Sequence, residues 1–374
     1  PSNADAYFEL GVFLQNQKRL NEAYDCYCNA LKYDSNCAKA YNNLGGVFKE
    51  KKQYKTAEIN YLKALEIKPD YADAESNLAL ILLRLGRYKD GWKAYEARYH
   101  PEKGERQTFP PKINAPQWHG EAIEGKSILV WPEQGFGDEI QFVRYLALLK
   151  NKQPKALILV CKKPLKRLFS RLSWVDKVIS RDDFCIGDAC NIDYWTFIMS
   201  LPFLFRTTLE TVPVNIPYLK STKKERQFWE RLLPKSNFRI GLAWKGNKKN
   251  GNDAYRSIPS LETLTPLLNI KGCSFISLQK DLENEELKKI SAIHRFCHLG
   301  NEIQDFSDTA AIISLLDLVI CVDTAIVHVA GALNIPCWVL LSESGVDWRL
   351  PNFDNGVPWY SNNMKLFRQT KDGE

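Results

Sequence analysis

Hydrophobic positions in the first hundred residues recur at a spacing that no single helix or strand explains. Shifted by 34, the chain superposes on itself: Tyr7, Tyr41 and Glu75 share one column, Leu10, Leu44 and Leu78 another, and Gly11, Gly45 and Ala79 a third. Further columns hold Leu14, Phe48 and Leu82; Ala23, Ala57 and Gly91; Tyr27, Tyr61 and Tyr95; and Ala30 with Ala64. Small residues mark where two helices approach closely, and large apolar ones fill the space between neighbouring pairs. Pro69 closes the second unit. The pattern predicts helix–turn–helix pairs over residues 1–99, two complete and a third modified. So few repeats bury little surface alone and are expected to dock on the next domain of the chain.

Residues 100–125 carry Pro101, Gly104, Pro110, Pro111, Pro116, Gly120 and Gly125, a density of breakers that reads as a linker. Beyond it, short apolar runs alternate with helical stretches. Strands are expected at Ser127–Trp131, Lys155–Cys161 and Val175–Ser180, with helices at Glu139–Lys150 and Pro164–Leu172. After a charged stretch, Ser221–Lys235, strands are expected at Phe238–Trp244, Cys273–Leu278, Arg295–Leu299, Leu318–Val322 and Pro336–Leu341. Helices Leu261–Leu268, Glu283–Ile290, Thr309–Leu315 and Thr324–Leu333 fall between them. Two such runs imply two parallel-sheet lobes, 126–235 and 236–374, with helices on both faces. The fold class is therefore α + α/β.

Composition narrows the function classes. The net charge of +7 is spread along 374 residues, which suits an anionic small-molecule site and not a nucleic-acid stripe. Ten cysteines include no CxxC pair, and most lie in apolar runs, so they read as reduced core residues of a cytoplasmic protein without disulfides or a metal site. The sequence from Pro1 to Asp5 carries no signal-peptide pattern. The longest apolar region, Leu315–Leu341, is interrupted by Asp317, Asp323 and His328, so no transmembrane segment is expected.

Ligands of such sheets bind beyond the carboxyl ends of strands, and three loops there are unusual. The first runs Trp131-Pro132-Glu133-Gln134-Gly135-Phe136-Gly137-Asp138, where two glycines admit a ligand to the backbone ahead of a helix N-terminus. Asp138 reads equally as a helix cap with Gln141 and as a catalytic carboxylate. The full GxGxxG fingerprint is missing, so a dinucleotide is not predicted. The second loop, Lys245 to Ser257, gathers glycines, amides and cations suited to phosphate; Lys245, Asn247 and Arg256 are the candidates, with Lys248 and Lys249 read as solvated. In the third, strand Leu318–Val322 runs straight into Asp323-Thr324 and the helix from Ala325. Asp323 is placed to cap, Thr324 and Ala325 to present backbone N–H groups, and His328 to stand one turn above Thr324. Gln279, beyond another strand of this lobe, adds a polar group at the same edge.

The 34-residue columns resemble tetratricopeptide repeats. Asn43 and Asn77 occupy one repeat position, with Glu9 as its counterpart, similar to the asparagines that grip a peptide backbone in O-GlcNAc transferases; a solvated polar face explains two asparagines as well. Asp323-Thr324-Ala325-Ile326-Val327-His328-Val329-Ala330-Gly331-Ala332 resembles the D-T/S-G-x-x-H-x-A-A-A segment of heptosyltransferase-like glycosyltransferases, family 9, and Gly137-Asp138 resembles their amino-terminal G-D element. The order of motifs, ending at Asp347-Trp348-Arg349, is similar to bacterial proteins in which tetratricopeptide repeats precede such a domain. The resemblance implies a GT-B architecture that binds a nucleotide-sugar (UDP-, GDP- or ADP-linked) on the carboxy-terminal lobe and an acceptor on the other. It implies Asp138 as base, Arg256 on the donor phosphates, and Asp323, Thr324, Ala325 and His328 in the donor segment, without a metal or other cofactor. Ala325 departs from the family's glycine. The repeats point to a protein or peptide acceptor. The alternatives are an interaction scaffold with an inactive or nucleotide-sensing domain, and a transferase acting on lipopolysaccharide or another glycan.

Overall fold

Six helices occupy the first hundred residues in the computed structural model: α1 (Asn3–Asn16), α2 (Leu20–Tyr33), α3 (Ala38–Glu50), α4 (Tyr54–Ile67), α5 (Ala72–Arg84) and α6 (Tyr88–Tyr95). The structure describes residues 3–100, 108–189, 191–247, 253–280, 282, 284–291, 293, 296–342, 348–349, 357–360 and 363–370. Sequence periodicity and geometry meet at the glycine columns. A Cβ on Gly11 would lie 2.6 Å from the Tyr27 ring, and one on Gly45 would lie 2.5 Å from Tyr61, so only glycine lets each tyrosine cross its partner helix. Between pairs, Leu44 and Val47 seat on Ala23, Cys26 and Tyr27, and Leu78 and Ile81 seat on Ala57 and Tyr61. Each fully buried side chain of this size contributes about 1.5–3 kcal/mol to holding the stack together. The third pair has Ala79 in the glycine column and a second helix of only 8 residues. Residues 202–211, 348 and 349 group with this helical unit. There Trp348 is buried with its ring centroid 5.2 Å from that of Trp92, edge to face.

The second unit contains two parallel sheets. In the first, β1 (Ser127–Trp131), β2 (Ala156–Cys161), β3 (Lys177–Ser180) and β4 (Tyr194–Phe197) lie in the order β3-β2-β1-β4. In the second, β5 (Arg239–Ala243), β6 (Ser274–Ser277), β7 (Phe296–His298), β8 (Leu318–Val322), β9 (Cys337–Leu341) and β10 (Met364–Arg368) lie in the order β10-β9-β8-β5-β6-β7. That is the doubly wound order, whose direction reverses between β5 and β8 and opens a crevice beyond their carboxyl ends. Ala243 pairs with Cys321 across that point. Helices α7 (Phe136–Phe142), α8 (Leu146–Lys150), α9 (Lys166–Phe169) and α10 (Leu201–Leu204) belong to the first half. After α11 (Lys223–Glu230) come α12 (Asp253–Arg256), α13 (Thr265–Leu268), α14 (Asn284–Ser291), α15 (Phe306–Ile313) and α16 (Ala325–Leu333).

Several predicted elements need correction. The helix expected over 139–150 is broken by a 3-10 turn, Val143–Tyr145. Arg144 Nε takes the Gln141 carbonyl at 2.8 Å, the acceptor that an unbroken helix assigns to residue 145. The helix expected over 261–268 is a 3-10 turn followed by α13, because Pro266 has no N–H to carry the ladder through. The stretch expected over 164–172 likewise shrinks to a 3-10 turn and α9. Strands β4 and β10, both at sheet edges, were not predicted. The breaker-rich segment is not a free tether in its described part: Trp118 is buried, and Gln117 pairs with Trp195 beside β4. Of nine described cysteines five are buried, but Cys185 is exposed, so the core reading does not hold for it.

Candidate functional site

The loop after β1 owes its shape to a buried ion pair that no sequence motif marks. Glu139, fully buried, takes Lys162 Nζ on one oxygen at 2.9 Å and the Lys162 backbone N–H on the other at 3.0 Å. Burial pushes the Glu139 carboxyl above the usual range, against the pull of Lys162. The same ammonium reaches the Gln134 carbonyl and lies 5.7 Å from the centre of the Phe136 ring. Gln134, not either glycine, takes the left-handed conformation of this loop, at φ 57°. Lys162 stands just past β2, beyond a strand end, which is the signal that could have found it.

Asp138 is not the first residue of its helix. Gly135 is the N-cap, and Asp138 at the third helical position accepts the Gly135 N–H at 2.8 Å, half of a capping box. The expected partnership with Gln141 is absent: Gln141 is fully buried, and neither end of its amide has a hydrogen-bond partner among the described residues. Gly137 faces the second lobe. A Cβ there would lie 2.6 Å from His328 Cδ2, 3.1 Å from His328 Nε2 and 3.7 Å from Ala325 Cα. Helices α7 and α16 therefore meet at a point where only glycine fits, and the first and third candidate loops converge. Phe136 and Phe306 lie tilted against each other nearby at 5.1 Å between centroids, and Arg167 bridges to Asp305 and Asp308 at 2.7 and 2.6 Å.

At the head of α16, the capping residue is Thr324 and not Asp323. The Thr324 hydroxyl accepts the Ile326 N–H at 3.4 Å, while Asp323 to Ile326 remain half-buried at the crevice. His328 is buried, and its Nδ1 lies 2.7 Å from the Tyr360 hydroxyl. In the loop after β5, Lys245 is tied to Glu286 at 2.7 Å, which also holds Trp244 Nε1 at 3.0 Å. A carboxylate already occupies this cation, so its role as a phosphate contact requires exchange of partner. The Lys245 backbone N–H donates to Gln279 at 3.0 Å, which joins two of the predicted positions. Arg256 pairs with Asp253 at 3.2 Å, against Gly246, where a Cβ would come 2.7 Å from the guanidinium. Asn247 is described in the same loop, whereas the solvated-lysine positions 248 and 249, and Asn250, Gly251 and Asn252, lie outside the described residues, as does Asp347.

In the repeats, Asn77 Nδ2 donates to Asn42 at 3.0 Å, Asn42 to Asn43 at 3.2 Å, and Asn43 to the Tyr27 hydroxyl at 3.2 Å. Both half-buried candidates thus belong to a polar ladder within the stack. Among the described residues, no helix is long and apolar enough to cross a membrane, and no cluster of three His, Cys, Asp or Glu side chains could hold a metal ion.

Residues 262–343 match the model of glycosyltransferase family 9 (heptosyltransferase), and residues 4–37 and 38–71 match the tetratricopeptide repeat. The chain therefore joins tetratricopeptide repeats to a parallel-sheet α/β domain that resembles the family 9 glycosyltransferase fold. The matched span includes Gln279, Asp323, Thr324, Ala325 and His328 but not the loops at 134–138 or 245–256. Among curated proteins, the chain is similar to protein FlbA of Caulobacter vibrioides, 28% identical over 302 residues, covering 75% of this chain and 50% of that protein. The chain thus spans about half the length of this relative. Among solved structures, a family 9 glycosyl transferase from Veillonella parvula shares the fold with TM-score 0.51 at 11% identity, covering 67% of this chain and 88% of that one. The ADP-heptose lipopolysaccharide heptosyltransferase II of E. coli matches with TM-score 0.47 at 16% identity, covering 66% and 92%.

Proposed function

We propose that this protein transfers a sugar from a nucleotide-sugar to an acceptor hydroxyl on a protein or peptide recruited by its repeats, in a GT-B-type, metal-independent reaction. One observation carries the reading: the glycine loop bearing Asp138 packs on the helix that starts at the β5–β8 reversal, so a carboxylate and an anion-favouring helix start are neighbours. The N–H groups at the head of α16 and the Arg256 guanidinium supply charge for a leaving diphosphate, the stabilisation that such a site needs most. Asp138 serves as general base. Its capping bond holds the carboxylate on the loop that meets α16. Lys245, Asn247 and Gln279 line the donor side, and Asn43 and Asn77 the acceptor groove.

The opposite reading, an interaction scaffold, draws on the same capping bond and on the Lys245–Glu286 pair, which make both residues structurally useful without chemistry. Calorimetric titration with UDP, GDP, ADP and CMP, repeated on Arg256→Ala, separates the two. Micromolar binding of one nucleotide, lost in the variant, supports the transferase and names its donor series. Absence of binding by all four overturns it. Transfer of labelled sugar to lysate protein, undiminished by EDTA, tests the acceptor class and metal independence; label in glycolipid moves the acceptor to a glycan.

A further inference from the structure

The repeats bury the same three apolar positions twice and expose them once. In α3 the stripe Ala40, Leu44 and Val47 is buried throughout, and so is the matching stripe Ala74, Leu78 and Ile81 of α5. One 34-residue period earlier, α1 carries Ala6, Leu10 and Phe13 in these columns, on one helical face. There Leu10 is 47% exposed, Phe13 is 57% exposed, and Ala6 is exposed as well. The apolar character of the stripe is kept in all three repeats, and only its cover differs.

What covers the two buried copies is the second helix of the preceding pair. Leu44 and Val47 meet Ala23, Cys26 and Tyr27 of α2, and Leu78 and Ile81 meet Ala57 and Tyr61 of α4. The cover thus has a defined chemistry, a helix with a small residue and a tyrosine four positions on. Helix α6 has the same pattern in Gly91 and Tyr95, but Tyr95 is buried and Trp348 lies edge to face with Trp92 and Tyr95 at 5.2 and 6.1 Å. A second copy of this chain has no such helix to offer, because α2, α4 and α6 are each engaged within their own stack. The sequence ahead of α1 points to another source. Pro1-Ser2 shares its columns with Ser35-Asn36 and Pro69-Asp70, and both of those lie in turns between one pair and the next.

We infer that the Ala6–Leu10–Phe13 stripe is a repeat interface, and that it seats the second helix of a further tetratricopeptide pair lying ahead of α1 in the polypeptide. Repeat stacks are held by nearest-neighbour contacts, and a terminal repeat that meets water carries a polar outer face. Helix α1 keeps leucine and phenylalanine there instead, so its outer face has the chemistry of an internal repeat. The contact lies within the first unit and does not depend on the transfer chemistry proposed for the second.

A copy of residues 38–71 joined directly ahead of Ala4 keeps the 34-residue register and supplies a covering helix of the α4 type. Hydrogen exchange read by mass spectrometry, on the full chain with and without this addition, reports on α1 directly. Exchange of the α1 amides is expected to slow by at least about tenfold in the extended chain, the size of effect that burying one leucine or phenylalanine provides. Leu10→Lys together with Phe13→Lys, both good helix formers, is expected to abolish the slowing and to leave exchange in the unextended chain unchanged. No slowing, or slowing that survives the double substitution, overturns the proposal. So does a loss of α1 protection when the double variant is made in the unextended chain, because the stripe is then already covered; that measurement decides even if the extended chain does not fold. Sedimentation of the unextended chain is expected to show a monomer. A dimer that the double substitution dissolves gives the stripe to a second copy and overturns the proposal as well.

Discussion

Gly137 and His328 are in contact across two lobes, and the contact leaves no room for a methyl group: a Cβ at 137 would lie 2.6 Å from the imidazole. Gly137→Ala is therefore expected to push His328 off Tyr360 or the loop off α16. Overpacking of a buried contact costs about 1–3 kcal/mol, and the strain falls on the proposed donor site. Chemical denaturation gives the stability change. Nucleotide binding retained at parental affinity would show that the junction is not part of the site.

Asp138 has two separable duties. Loss of the capping bond in Asp138→Ala is expected to cost about 0.5–2 kcal/mol, whereas loss of a general base lowers turnover by about 10²–10⁴-fold. A thermal melt and a sugar-transfer assay on one preparation measure both. A stability loss of this size with unchanged turnover would leave Asp138 as a cap.

Tyr27 and Tyr61 hold one position in successive repeats, yet opposite effects are expected on removing their hydroxyls. Tyr27 donates to Gln15 at 2.9 Å and accepts from Asn43, so Tyr27→Phe is expected to destabilise by about 0.5–1.5 kcal/mol. The buried Tyr61 hydroxyl has no hydrogen-bond partner among the described residues, and burial pushes its ionisation well up. Tyr61→Phe is expected to be neutral or stabilising by up to about 1 kcal/mol. Circular dichroism melts of the two variants check the sign of the difference.

Removal of Lys162 strands a buried carboxylate. Lys162→Met is expected to cost about 3–5 kcal/mol near neutrality, the usual penalty for half of a buried pair. Because burial already holds the Glu139 pKa above 4.5, the folded state favours its protonated form. That contribution is present below the unfolded value and fades as pH rises through the folded one. Without the opposing pull of Lys162 the folded value climbs further, so the deficit of Lys162→Met should widen as pH rises through the wild-type folded value. Urea denaturation over a pH series tests it, and Glu139→Gln in the same background should flatten the dependence.

The repeats were legible because their signal is local: Gly11 opposite Tyr27 and Gly45 opposite Tyr61 write a helix crossing into one short stretch. β1 and β8 were equally plain as buried apolar runs. β10 escaped notice because the half-exposed positions of Met364–Arg368 dilute its apolar run. At the candidate loops the capping was misplaced, by one residue at Asp323 and by three at Asp138, since the choice among Asp, Thr and Gly depends on backbone angles. Arg144, Tyr360 and Glu139 had no signal strong enough to single them out. Their roles arise from partners up to 215 residues apart, which no periodicity records.

The packing of Trp348 on Trp92 has a bearing on how this chain is made. A tetratricopeptide stack built only from neighbours could fold as it leaves the ribosome, pair by pair. Here the third pair closes on a tryptophan encoded roughly 250 residues later, which at about 5–20 residues per second arrives on the order of 10–50 s afterwards. During that interval Trp92 has Tyr88 and Tyr95 beside it but not its final neighbour. A residue made roughly 250 residues after Trp92 thus decides when the third repeat pair is finished.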